Sequence, residues 1–223
     1  MSGSMKEAIE AGACAHCGAA AAGHFCGACN RIQPLPADTD YLAFLGLPRL
    51  LCLDEAALEK TFYSLSRKLH PDYFMNAGSA ERQASLDRSS ILNDAYRTLR
   101  HPITRVQYLL SLEGYKEAEK RAPADLLEEV FELNMRIEEL KNARKTGDED
   151  EAGQARESLE EALAGLNQRR ARIDDVIFAL FAEWDVLTDS SEVEKKSVLN
   201  RISGLLSNRS YIIGLIREIE EEF

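Results

Sequence analysis

The sequence predicts an all-α protein in three parts: a small N-terminal metal-binding module, a helical domain built on an antiparallel hairpin, and a C-terminal three-helix bundle. Three observations carry this prediction. From about residue 38 onward, apolar residues recur at the 3.6-residue spacing of one helix face, and no strand-like alternation of useful length occurs outside the cysteine segment. Prolines and glycines cut that pattern into helix-length pieces. Ahead of it, four of the five cysteines crowd between residues 14 and 29 among Ala and Gly, with Phe25 the only large apolar side chain. Such a segment has no hydrophobic core to fold on, so its cysteines must hold it.

Gln33-Pro34-Leu35-Pro36-Ala37-Asp38 reads as a linker, because two prolines remove backbone donors and keep the chain extended, and a new domain starts near Asp38. Thr39 or Asp40 caps a short helix through Phe44 and Leu45, which Gly46-Leu47-Pro48 ends. Asp54 caps a second, in which Leu58, Phe62, Leu65 and Leu69 share one face and which Pro71 stops. A short loop, Tyr73 to Gly78, leads to a third helix with the matching stripe Ala84, Ile91, Leu92, Ala95 and Leu99, so the two form an antiparallel hairpin. Pro102 opens a fourth helix carrying Val106, Leu109 and Leu110, and Gly114 closes it.

Three longer helices follow: Pro123 to about Arg144, about Ala152 to Trp184, and about Glu192 to Phe223. The acidic run Asp148 to Glu151 is expected as a solvated turn. Apolar spacing at Leu127, Val130, Phe131, Leu133 and Ile137, and at Leu159, Leu163, Leu166, Ile173, Ile177 and Leu180, suits an antiparallel bundle. The expected divisions are residues 1–37, 38–114 and 115–223. Trp184 reads as a packing anchor, and Cys52, between Leu51 and Leu53, as an ordinary buried residue.

Composition narrows the function. The chain has 223 residues, 45% hydrophobic and 7% aromatic, the balance of a soluble, ordered, helix-rich protein of one or two domains. Its net charge of −11 argues against a general nucleic-acid binder, which needs a basic surface to displace counterions from phosphate. A zinc-ribbon nucleic-acid binder fares no better, since Lys6 and Arg31 are the only cations of residues 1–37. The charge is uneven: residues 1–112 balance at 11 basic and 11 acidic side chains, while residues 113–223 hold 16 basic and 27 acidic. That asymmetry suggests two modules with different partners, or longer solvated helix faces in the rear half. No apolar run is long enough to span a bilayer, and Met1 to Ala13 lacks the marks of a signal or transit peptide, Glu7 and Glu10 outnumbering Lys6. A reducing cytoplasm is the expected compartment, with no membrane partner.

Cys14-Ala-His-Cys17-Gly and Cys26-Gly-Ala-Cys29 are two CxxC pairs, each able to turn two thiolates onto one metal. Glycine in or after each knuckle lets backbone amides approach the sulfurs, and four thiolates satisfy one tetrahedral zinc ion. Iron can occupy such a site, and two disulfides or a redox dithiol are the alternatives, disfavoured in a reducing cytosol. With four thiolates there is no open position for a catalytic water, so the site supports the fold. His16 and His24 read as bystanders.

His70-Pro71-Asp72 ends the amphipathic second helix, preceded by Arg67 and Lys68. As catalysis, His70 and Asp72 form an acid–base pair with no nucleophile context beside them. As structure, they are a helix stop. Their setting in a loop between two helices, with a basic flank of Lys60, Arg67 and Lys68, resembles the J-domain. The resemblance implies that His70, Pro71 and Asp72 are the loop that docks on a DnaK-class chaperone and stimulates its ATPase, the ATP site belonging to the partner. Asp40-Tyr41-Leu42-Ala43-Phe44-Leu45-Gly46-Leu47-Pro48 and Leu99-Arg100-His101-Pro102-Ile103-Thr104-Arg105-Val106-Gln107-Tyr108-Leu109-Leu110 look more narrowly like the HscB family, J-type co-chaperones of iron–sulfur cluster assembly.

That resemblance spans roughly residues 38–223 and implies a J-domain followed by an acidic three-helix bundle that binds the cluster scaffold protein, IscU; residues 14–29 resemble the tetracysteine zinc module of some members. The segment Leu127 to Met135 is similar to the family's scaffold-binding helix. Leu127, Glu128, Phe131, Glu132, Met135 and Glu139 lie along one face, with Tyr211 on the last helix as the aromatic that joins them. From periodicity alone, Leu127 and Phe131 fit a core equally well. The implied function is a non-enzymatic co-chaperone, monomeric or weakly dimeric, that brings a loaded scaffold to an HscA-like chaperone. The alternative is a cysteine-based redox or metal-delivery protein with a helical interaction domain.

Overall fold

The computed structural model describes residues 12–36, 39–115, 126–187 and 192–223. The expected domain start at Asp38, the expected helix start at Pro123 and the N-terminal residues Lys6, Glu7 and Glu10 lie outside them. The chain forms two compact units, residues 1–109 and 110–223. The fold is mainly helical, as the sequence predicts, and the cysteine segment carries a two-stranded hairpin.

In the first unit, β1 (Gly12–Ala13) pairs antiparallel with β2 (Ala20–Ala21), and a single bridge joins Phe25 to Ile32. Helix α1 (Tyr41–Leu45) is capped by the Asp40 carboxylate and ends on Gly46 at φ 65°, where the Leu47 N–H reaches the Leu42 carbonyl and the Gly46 N–H that of Ala43. This left-handed termination is open to glycine at no steric cost. Helix α2 (Glu55–Leu69) starts on the Asp54 cap, which accepts from the Ala56 and Ala57 N–H groups. It stops at Leu69 because His70, ahead of Pro71, turns to extended geometry (φ −59°, ψ 129°). A 3-10 turn, Pro71–Phe74, leads into α3 (Ser79–Leu99), which packs along α2, and Pro102 opens α4 (Pro102–Leu112). Leu42, Phe44, Leu58, Leu69, Leu92 and Leu99 form the core of this unit, with Phe62 and Leu65 half-buried against it.

Two buried arginines brace it. Arg105 donates to the carbonyls of Leu99 (2.6 Å) and Leu51 (2.5 Å), tying the C-terminal end of α3 to the loop before α2. Arg88 faces the cysteine hairpin. Tyr108, whose phenol is held protonated by burial, donates to Asp40 and stacks on Tyr41 at 4.6 Å. Cys52 corrects the sequence reading: its neighbour Leu51 is buried, but Cys52 is exposed, because the segment turns too tightly to bury both.

In the second unit, α5 (Leu127–Thr146), α6 (Glu149–Val186) and α7 (Glu192–Glu220) pack as a bundle. One end is filled by Leu133, Ile137 and Leu140 of α5, Leu159 and Leu166 of α6, and Ile212, Leu215 and Ile219 of α7. Towards the other end Ile177, Leu180, Phe181 and Trp184 are buried on α6, and Val198, Leu199 and Ile202 on α7. Trp184 is the packing anchor expected. The acidic run is not a free turn. Gly147 at φ 74° makes the reversal, Asp148 caps α6 by accepting from the Glu151 N–H, and Glu149 to Glu151 occupy its first turn, where the helix dipole favours them.

Candidate functional site

Three sets of residues carry chemistry. The first is the tetracysteine hairpin. The two CxxC turns share one geometry: Gly18 N–H bonds to Cys14 O and Asn30 N–H to Cys26 O, both at 2.9 Å, and the residue after the second cysteine of each turn is left-handed (Gly18 φ 72°, Asn30 φ 54°). The four sulfurs lie within 4.8 Å of one another, with Cys14–Cys29 and Cys17–Cys26 each at 3.7 Å. Tetrahedral ligation with bonds of about 2.3 Å requires edges of about 3.8 Å. The quartet therefore fits one tetrahedral metal ion. Backbone N–H groups from Cys17 and His16 pull the Cys14 thiol down to about 6, and those of Cys29 and Ala28 lower Cys26. Cys29 moves up to about 12: the Arg31 backbone N–H favours its thiolate, but burial and the three neighbouring sulfurs oppose it. Four thiols this close shed all their protons only around a cation. His16 and His24 stand outside the sulfur cluster.

His24 instead docks the hairpin on the helices. Its Nε2–H donates to the Phe44 carbonyl (3.0 Å), its ring meets Phe44 edge-on at 4.6 Å, and its Nδ1 accepts from Arg88 (2.8 Å). Burial, then the Arg88 charge, lowers its pKa to about 4, so the ring is neutral, as this hydrogen-bond pattern requires. Arg88 is fully buried and also donates to the carbonyls of Gln33 (2.8 Å), Pro34 (3.0 Å) and Gly23 (3.4 Å). Neither role is written in the local sequence.

The second set is the His-Pro-Asp loop. His70 and Asp72 project to solvent, their side chains 53% and 77% exposed, so they form no buried acid–base pair. His70 Nδ1 accepts from the Asp72 N–H at 3.3 Å, which fixes the ring across the start of the 3-10 turn that Pro71 opens. Ser85 and Ser89 of α3 hold the root of the loop, both donating to the Leu69 carbonyl (2.7 and 2.9 Å). Lys60, Arg67 and Lys68 are exposed on α2, and Tyr73 (74%) and Met75 (67%) are exposed beyond the loop.

The third set lies on α5. Leu127, Phe131 and Met135 are 58%, 68% and 49% exposed, while Leu133, Ile137 and Leu140 fill the core. The structure thus settles what periodicity leaves open: Leu127 and Phe131 are not core. Glu128, Glu132 and Glu139 are exposed beside the strip, and Glu132 pairs with Arg136 (3.5 Å) at the rim of a groove of about 540 Å³ between α5 and α6. Tyr211 is half-buried against the bundle core.

No family model matches the chain. It is 29% identical over 177 residues to the iron–sulfur cluster co-chaperone protein HscB of Mus musculus, covering 77% of this chain and 70% of that one. The chain is thus similar in sequence to an HscB co-chaperone. Its fold agrees: the crystal structure of the human co-chaperone HscB superposes with a TM-score of 0.68 at 22% identity, over 95% of this chain and 98% of that one. The HscB chaperone of Vibrio cholerae is matched at a TM-score of 0.49 and 24% identity, over 82% of this chain and 96% of that one. No described helix is long and apolar enough to cross a membrane.

Proposed function

We propose that the chain is a J-type co-chaperone of iron–sulfur cluster assembly, not itself an enzyme. It stimulates the ATPase of a DnaK-class, HscA-like chaperone through His70, Pro71 and Asp72, with Lys60, Arg67 and Lys68 steering the encounter towards an acidic surface. It holds an IscU-like scaffold on Leu127, Glu128, Phe131, Glu132, Met135 and Glu139, joined by Tyr211 of α7. The observation that carries this reading is the solvent-facing strip Leu127, Phe131 and Met135 on a helix whose opposite side is already buried. Three large apolar side chains left in water at i, i+4 and i+8 are the centre of an interface, and the acids beside them its polar rim. The cysteine hairpin, on this reading, holds one structural zinc ion, which supplies the core that Ala and Gly cannot. Cysteine-rich metal ligation of this kind suits a reducing cytoplasm.

The chain then acts as an adaptor. Residues 38–114 engage the chaperone and residues 115–223 the scaffold, so one molecule raises the local concentration of scaffold at the chaperone. The test is to measure ATP turnover and scaffold binding separately in His70→Gln and Phe131→Ala. His70→Gln is expected to lose stimulation and keep binding; full stimulation by that variant would overturn the J-domain assignment.

A further inference from the structure

Among the described residues Arg88 is the largest fully buried side chain, and no described carboxylate pairs with it. Every described acceptor that satisfies it belongs to residues 23–34: the carbonyls of Gly23, Gln33 and Pro34 and the Nδ1 of His24. A buried guanidinium stripped of its acceptors is strongly unfavourable, so the packing of α3 around Arg88 requires this segment to be in place. The segment has little of its own to keep it there. Ile32 anchors its end in the helical core with Phe25 half-buried beside it, but the sulfur-bearing part has only the cluster Cys14, Ala21 and Cys26 and strands two residues long, so the order of that part depends on the metal that the four sulfurs take.

Gln33 closes the path between the two. Its backbone carbonyl accepts from Arg88, while its side-chain amide donates to the Arg31 carbonyl (2.8 Å) and to the Cys14 sulfur (3.5 Å). Within one turn of Arg88, α3 carries Ser85 and Ser89, whose hydroxyls hold the Leu69 carbonyl directly before His70. We propose that Arg88 and Gln33 are positioning residues that couple occupancy of the four-cysteine site to the order of α3 and of the α2 end presenting His70-Pro71-Asp72. Metal loss frays the hairpin, withdraws the acceptors of Arg88 and loosens the loop root. The consequence for chaperone stimulation rests on the function proposed above, whereas the coupling itself does not.

Linkage makes this distinguishable from plain packing: if metal binding stabilises the docked arrangement, weakening the dock must weaken metal binding by the same factor. A residue that only packs lowers the stability of metal-loaded and metal-free chain alike and leaves the affinity unchanged. The experiment uses the full chain, Zn²⁺ affinity by chelator competition, and amide hydrogen exchange with and without metal, in the parent, Arg88→Met and Gln33→Leu. Each substitution is expected to weaken Zn²⁺ binding about tenfold, the low end for loss of an outer-shell partner. Chelation is expected to speed exchange across Ser85 to Leu92 and at His70 and Asp72 in the parent, and to add little in the variants. Gln33→Leu removes only two side-chain bonds, one of them to the Cys14 sulfur, so if Arg88→Met does not fold, the metal-dependent exchange across α3 in the parent and in Gln33→Leu, not the affinity alone, decides the matter. Unchanged Zn²⁺ affinity in Gln33→Leu, or chelation that speeds exchange only within residues 12–36, would overturn the coupling. Neither readout needs a chaperone, so failure here is separable from failure of the co-chaperone assignment.

Discussion

Replacing Phe131 by alanine separates the two faces of α5. The Phe131 ring is 68% exposed, whereas Leu133, two residues on, is 4% exposed. A phenylalanine offers about 200 Å² of surface, so at 68% exposure roughly 140 Å² stands in water for a partner to cover. At about 25 cal/mol per Å², that area is worth at most about 3.5 kcal/mol. A central aromatic anchor costs about 2 kcal/mol or more when truncated, so Phe131→Ala is predicted to weaken scaffold binding by between about 30-fold and about 300-fold. Its effect on folding stability is predicted to stay within about 0.5 kcal/mol, because little of the ring is packed. Leu133→Ala is predicted to do the reverse, costing about 2–5 kcal/mol of stability. Calorimetric titration of an IscU-type scaffold, with urea unfolding of each variant, measures both. Unchanged scaffold affinity in Phe131→Ala, or a stability loss matching that of Leu133→Ala, would refute the assignment of the faces.

Three further outcomes are expected. His70→Gln should abolish stimulation of a DnaK-class ATPase while thermal unfolding shifts by no more than an exposed substitution does, about 0.5 kcal/mol, and a large stability loss would show that His70 is structural. Ser85→Ala combined with Ser89→Ala removes both side-chain donors from the Leu69 carbonyl and should cost about 1–3 kcal/mol in urea unfolding. Trp184→Ala should cost about 3–5 kcal/mol, since its ring is buried on α6, and a negligible loss would reassign it to a binding surface.

What the sequence shows clearly is local chemistry. Asp40 and Asp54 cap, Gly46 turns left-handed, and Pro71 ends α2, because each effect acts within a few residues. The CxxC pairs are legible for the same reason. The face of α5 is not, since Leu127, Phe131 and Met135 and the set Val130, Leu133, Ile137 and Leu140 both keep helical spacing; only the positions of α6 and α7 decide which set is buried. Arg88 is illegible for a different reason. Its acceptors, three of them backbone carbonyls, lie 54 to 65 residues away, and no residue type marks a carbonyl that will receive a guanidinium. His24, set aside as a bystander to the metal, proves to join the hairpin to Phe44 and Arg88 by the same long-range packing.

An adaptor needs its chaperone-facing loop and its scaffold-facing strip on one molecule. The direct measurement is steady-state ATP turnover of an HscA-like chaperone with its scaffold, comparing the intact chain with an equimolar mixture of His70→Gln and Phe131→Ala. The mixture contains one intact copy of each site, never joined. Covalent linkage raises effective concentration, so the intact chain is predicted to give the full joint stimulation and the mixture to fall at least tenfold short of it at sub-saturating scaffold. Equal stimulation by the mixture and the intact chain would contradict the adaptor.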